Sequence, residues 1–209
     1  MVFPRLYAIL DSGCFPTADA LCAAAEELVS AGCTLIQYRN KSGNARVMLE
    51  QARELRRLSR ARVPAPHVPK LIMNDRADLC LAADFDGVHV GQDDLSPEAV
   101  RRIIGPDCWL GISTHNPEQV KEADLTSADY MAIGPVFSTS SKENPDPVVG
   151  LEGVRRARAL TRKPLVAIGG ITRANALSVI EAGADSVAVI SDLLREPGKS
   201  AEEFLRILR

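Results

Sequence analysis

The stretch "PLVAIGGITRANALSVIEAGADSVAVIS", Pro164 to Ser191, holds two apolar runs separated by one stretch of helical periodicity. "PLVAIGG" (164 to 170) and "SVAVIS" (186 to 191) are short and almost continuously apolar, as strands covered on both faces must be. Between them "TRANALSVIEAG" opens on a capping Thr, repeats its apolar residues at helical spacing and closes on Gly. Strand, helix, strand is the unit that joins parallel strands.

The unit recurs along the chain. "RLYAIL" (5 to 10), "TLIQYR" (34 to 39), "KLIMND" (70 to 75), "GVHV" (87 to 90), "WLGIST" (109 to 114) and "YMAIGPV" (130 to 136) bring the strand candidates to eight. Helical stretches such as "ADALCAAAEELVSAG" and "SPEAVRRII" lie between them. With no linker or shift in composition, this predicts an α/β fold, a single compact (β/α)8 TIM barrel over residues 1–209. An open doubly wound sheet would carry a glycine-rich phosphate turn after the first strand, and "DSGCFP" does not match it. The Pro-rich "VPAPHVPK" (63 to 70) precedes a strand and falls at the bottom rim.

At 46% hydrophobic, 209 residues can bury a sizeable core. Twenty-five Lys and Arg against 27 Asp and Glu give a net charge of −2, which supplies no global field for nucleic acid or an anionic membrane. The basic runs "RELRRLSRAR" and "RRARALTRK" carry arginines at helical spacing and read as solvated helix faces. Cys14, Cys22, Cys33, Cys80 and Cys108 are odd in number and lack a CxxC pair, which predicts reduced thiols rather than a disulfide framework or zinc cluster. "MVFPRLYAILD" has no basic segment leading into an apolar one, and no 18 apolar residues run together, so a cytoplasmic protein is expected.

In such a barrel the chemistry gathers at the C-terminal ends of the strands. Those ends read "QYRNK", "NDRAD", "HVGQDDL", "GISTH", "GPVFSTSSK", "AIGG" and "VIS". Asp75 with Asp93 and Asp94 faces Arg39, Lys41 and Lys142. Two carboxylates from neighbouring strands suit Mg²⁺, which binds few protein oxygens and bridges to phosphates; the plainer role for these aspartates is helix capping. The three cations suit a pyrophosphate, and the glycines after the seventh strand suit a phosphate monoester. His89 and His115 are too isolated for a metal triad and are expected in the core. Lys41 and Lys142 lie on polar loops, which disfavours Schiff-base chemistry.

In order, "QYRNK", "MNDRAD", "DGVHVGQDDL", "GIS", "GPVFSTSSK", "VAIGG" and "VAVIS" resemble the active-site segments of the thiamine phosphate synthase family, over residues 5 to 195. The resemblance implies a transferase that joins an aminopyrimidine methyl pyrophosphate to a thiazole ethyl phosphate and releases pyrophosphate. It implies Mg²⁺ on Asp75 and Asp94, and pyrimidine pyrophosphate contacts from Gln37, Arg39, Lys41, Asn74, Ser113 and Lys142, with Lys142 and Ser113 nearest the reacting bond. Thr139, Ser141, Gly170, Ile190 and Ser191 would line the thiazole phosphate pocket. Ser141 stands where the family often has Thr, and strand alternation turns Tyr38 and Asn40 away from the site. Partners would be the two small molecules, with no nucleic acid or membrane and room for a homo-oligomer. The stretch "FSTSSKENPDPVVG" (137 to 150) is expected to act as a lid. Two alternatives share the barrel, a thiazole tautomerase-like paralogue and a non-catalytic phosphate-ligand binding protein.

Overall fold

A computed structural model of the chain describes residues 3–41, 43–63, 68–139 and 146–209. The strands are β1 (Leu6–Asp11), β2 (Leu35–Arg39), β3 (Lys70–Asn74), β4 (Gly87–Val90), β5 (Trp109–Thr114), β6 (Tyr130–Ile133), β7 (Leu165–Ile168) and β8 (Ser186–Val189). They alternate with helices α1 (Ala18–Ser30), α2 (Ala45–Arg62), α3 (Ala77–Ala82), α4 (Pro97–Ile104), α5 (Pro117–Asp124), α6 (Gly150–Leu160), α7 (Ala176–Glu181) and α8 (Pro197–Ile207). All strands are parallel and pair in chain order, and β1 pairs with β8 to close the barrel.

Local chemistry sets the helix starts. Thr17, Asn44, Ser96 and Asn116 each accept a backbone N–H three residues on, at 2.9–3.3 Å, and Pro97 and Pro117 occupy first-turn positions where no N–H partner is needed.

Strand residues divide by parity between two cores. Ala8, Leu10, Ile36, Tyr38, Met73, Val88 and Ile112 pack outward against the helices, whereas Tyr7, Ile9, Leu35, Ile72, Tyr130, Ala132, Val166 and Ala188 fill the barrel interior. At the bottom, Phe3 stacks on Trp109 with ring centroids 5.4 Å apart, and Lys70 Nζ lies 4.9 Å from the Trp109 ring. The same alternation places Gln37, Arg39, Asn74, His89 and Ser113 inward, and Tyr38 and Asn40 outward onto Gln51 of α2.

A motif repeats at the bottom of three of the units. Asp86, Asp129 and Asp185 stand just before β4, β6 and β8; each carboxylate accepts the N–H of Leu71, Leu110 or Leu165 at 2.7–2.8 Å. Each also pairs with an arginine from the surrounding helices, Arg56, Arg101 and Arg158, at 2.6–2.8 Å. Arg56 and Arg158 come from the two basic runs, so the expectation of wholly solvated faces is corrected for them: Arg56 is buried. Arg57, Arg60 and Arg62 do face solvent.

The apolar run 130–136 yields a strand only to Ile133, because Pro135 has no N–H to extend the ladder. Val136 and Phe137 then donate to Ile168 and Gly169 carbonyls at 2.9 and 3.0 Å, which lays the loop after β6 against the turn after β7. Of the stretch 63 to 70, residues 64–67 lie outside the described residues. No described helix is long and apolar enough to cross a membrane.

Candidate active site

The C-terminal mouth is charged on the β1–β4 side. Asp11 and Arg39, in register on β1 and β2, form an ion pair, and Asp11 also accepts the Gly13 N–H at 3.0 Å. Lys41 Nζ lies 2.5 Å from Asp75 Oδ2. Asp75 has φ 62°, a conformation that Asp tolerates better than most residues, and its N–H donates to the His89 carbonyl at 2.8 Å. Asp94 Oδ2 accepts the Gly91 N–H at 2.7 Å. Burial raises the pKa of the Asp75 carboxyl; the Lys41 ammonium offsets part of this, and the charge and hydrogen bonding of neighbouring Asp94 add to it. Beside them Asn74 is 8% exposed, yet its Nδ2 has no partner among the described residues.

Beneath the mouth the interior is polar. Ser113 Oγ lies 2.9 Å from His89 Nε2, and His89 Nδ1 lies 3.1 Å from Tyr130 Oη. Tyr7 Oη is 2.9 Å from Tyr130 Oη and accepts from Gln37 Nε2 at 2.8 Å. Burial pushes the His89 pKa down to about 4 and both tyrosines upward. The imidazole is therefore neutral at pH 7.

On the opposite side, Gly169 and Gly170 have φ 99° and 63°, and a Cβ on Gly170 would stand 2.5 Å from the Ser138 carbonyl oxygen. Only glycine allows the two loops to approach so closely. The Arg173 N–H and guanidinium both bind Asp192, at 2.9–3.0 Å, tying the loop after β7 to the segment after β8. Thr139 lies on the loop after β6, while Ile190 and Ser191 directly follow β8. Ser141, Lys142 and the middle of the expected lid lie outside the described residues.

A family profile described as thiamine monophosphate synthase matches residues 6–193. The chain belongs to the thiamine monophosphate synthase family. A relative from Koribacter versatilis named thiamine-phosphate synthase is 60% identical over 208 residues, 98% of this chain and 96% of that protein. Another of that name, from Chloroflexus aurantiacus, is 45% identical over 188 residues, 90% and 83% of the two chains. A solved structure of thiamine phosphate pyrophosphorylase from Pyrococcus furiosus superposes with a TM-score of 0.85 at 33% identity, covering 98% of this chain and 95% of that one. A native KDPGal structure, at 16% identity and a TM-score of 0.74, shares the fold alone.

Within this member of the thiamine monophosphate synthase family, the barrel gathers Gln37, Arg39, Asn74 and Ser113 on inward strand positions and Lys41, Asp75 and Asp94 on the loops above them. Sequence reasoning missed Asp11, Tyr7 and Tyr130, and it assigned His89 to the core with no link to Ser113. Register is the signal that finds them: His89 and Tyr130 both pair with Gly111. Among the described residues no cluster of three or more His, Cys, Asp or Glu forms a metal cage. The acids instead form a pair, Asp75 with Asp94, beside an unpartnered amide.

Proposed function

We propose that this protein is a transferase that makes thiamine phosphate, joining an aminopyrimidine methyl pyrophosphate to the nitrogen of a thiazole ethyl phosphate with release of pyrophosphate. The observation that carries the reading is the unpartnered Nδ2 of buried Asn74 among Arg39, Lys41 and the Asp75–Asp94 pair. A buried donor without an acceptor costs about 1–3 kcal/mol, and an anion with many acceptor oxygens relieves that cost.

The donor set fits Mg²⁺: two adjacent carboxylates, one with its charge disfavoured by burial and by the other, are both relieved by a small hard cation. When bound by Asp75 and Asp94, Mg²⁺ would neutralise charge on the leaving pyrophosphate. Arg39, Lys41 and Asn74 would donate to the phosphate oxygens, and half-exposed Lys41 can exchange its aspartate for phosphate. The resemblance adds Lys142 to this set. Gln37 would orient the pyrimidine ring, and Ser113 would donate to the departing group.

As the bond to pyrophosphate weakens, the electron-rich aminopyrimidine carries the positive charge of its methylene, and these fixed donors stabilise the negative charge opposite it. The thiazole nitrogen then closes the new bond, with the thiazole phosphate held by Thr139, Ser141, Gly170, Ile190 and Ser191. No side-chain nucleophile takes part. Both substrates are soluble phosphates, in keeping with the cytoplasmic setting that the cysteine pattern predicts.

The test is a reaction with purified protein, both substrates and Mg²⁺, read as thiamine phosphate. Product that depends on all three supports the proposal. Pyrimidine and thiazole recovered unjoined would refute it.

A further inference from the structure

Five side chains from five strands are joined across the barrel interior, from Gln37 through Tyr7, Tyr130 and His89 to Ser113, by contacts of 2.8–3.1 Å. The room for the central contact comes from Gly111. A Cβ there would stand 2.2 Å from the Tyr130 ring and 2.4 Å from His89 Nδ1.

We propose that these groups form a directional hydrogen-bond relay that fixes which face Gln37 and Ser113 present to the mouth. Tyr7, Tyr130 and His89 are then positioning residues for the reaction proposed above, on which this inference rests. Tyr7 accepts from Gln37, so its single hydrogen goes on to Tyr130. The Tyr130 hydrogen goes to His89 Nδ1, and the imidazole hydrogen is left on Nε2 to reach Ser113 Oγ. Ser113 keeps its own hydrogen for the mouth, and Gln37 Oε1, which no described residue binds, remains an acceptor. An acceptor at Gln37 suits the exocyclic amine of an aminopyrimidine. A donor at Ser113 suits a pyrophosphate, whose oxygens only accept. Reversal of the relay would mismatch both ends at once.

Gln37→Glu tests the direction. An ionised carboxylate cannot donate, so Tyr7 must turn its hydrogen toward residue 37 and every later bond must reverse. The ¹⁵N spectrum of His89 in the full-length protein, taken where the ¹³C shift shows the new carboxylate ionised, should move the ring hydrogen from Nε2 to Nδ1. A His89 that keeps Nε2–H would overturn the relay.

Should that variant fail to fold, Tyr130→Phe gives a second reading through ligand preference. Calorimetry should show wild type preferring the aminopyrimidine pyrophosphate over its 4-oxo analogue, and the variant, cut two bonds from Gln37, losing about tenfold of that preference because the amide can turn over. An unchanged preference would overturn the relay. Wild type that binds neither pyrophosphate would refute the proposed function instead, and the His89 spectrum would still decide the relay.

Discussion

Lys41 Nζ rests 2.5 Å from Asp75 Oδ2, so the cation expected to meet pyrophosphate and the acid expected to hold the metal share one ion pair. The pairing matters because Asp75 is partly buried and next to Asp94, an arrangement that disfavours its charge unless a cation is near. Mg²⁺ and phosphate would divide the pair between them, the metal taking the acid and the phosphate taking the ammonium.

Asp75→Asn is the variant that isolates the charge, since Asn also tolerates the left-handed backbone at φ 62°. Turnover at limiting Mg²⁺ should fall roughly 100-fold, and Asp94→Asn should behave alike. A magnesium titration of steady-state rate checks this. Wild-type rates in both variants would remove the aspartates from the mechanism.

Gly170→Ala should weaken thiazole phosphate at least tenfold and leave pyrophosphate affinity intact. The added Cβ meets Ser138 O at 2.5 Å and Phe137 Cβ at 2.7 Å, so the loops after β6 and β7 must part. Separate calorimetric titrations with the two anions distinguish this from general damage, in which both affinities would fall.

The eight strands were legible because each is a short apolar run bounded by polar turns, and the mouth residues were legible because a parallel barrel places all strand ends on one rim. The interior relay was not. Tyr7 and Tyr130 are 123 positions apart, and their hydroxyls meet only through closure of the barrel. Asp11 sat in "DSGCFP", a turn read only for its lack of a dinucleotide pattern; its pairing with Arg39 depends on the β1–β2 register. For Arg56 and Arg158, helical spacing gave a face but could not show that an aspartate before the next even-numbered strand waits beneath it.

The folded His89 pKa, about 4, lies below the ordinary 6.5, so between these values the unfolded chain binds the extra proton. Stability from this group is therefore present above pH 6.5 and is lost as pH falls toward 4, by about 3 kcal/mol over the window. Urea unfolding of the magnesium-free protein at pH 7 and pH 4 checks it. The stability gap between wild type and His89→Gln should shrink by that amount, and a gap independent of pH would contradict the buried neutral imidazole.

Asp185→Ala should separate stability from activity. It leaves the Leu165 N–H and Arg158 without their carboxylate at the bottom of the barrel, far from the mouth. We expect a loss of about 1–3 kcal/mol in unfolding free energy with kcat unchanged. A selective fall in kcat with unaltered stability would contradict the division between the two ends.

The most direct test of the central claim measures pyrophosphate and thiamine phosphate in the same reaction. If the mouth couples departure of pyrophosphate to capture by the thiazole, the two products form one for one with Mg²⁺ and both substrates, and leaving out the thiazole phosphate suppresses thiamine phosphate entirely. Pyrophosphate released at the full rate with no thiamine phosphate formed, both substrates being present, would contradict the account.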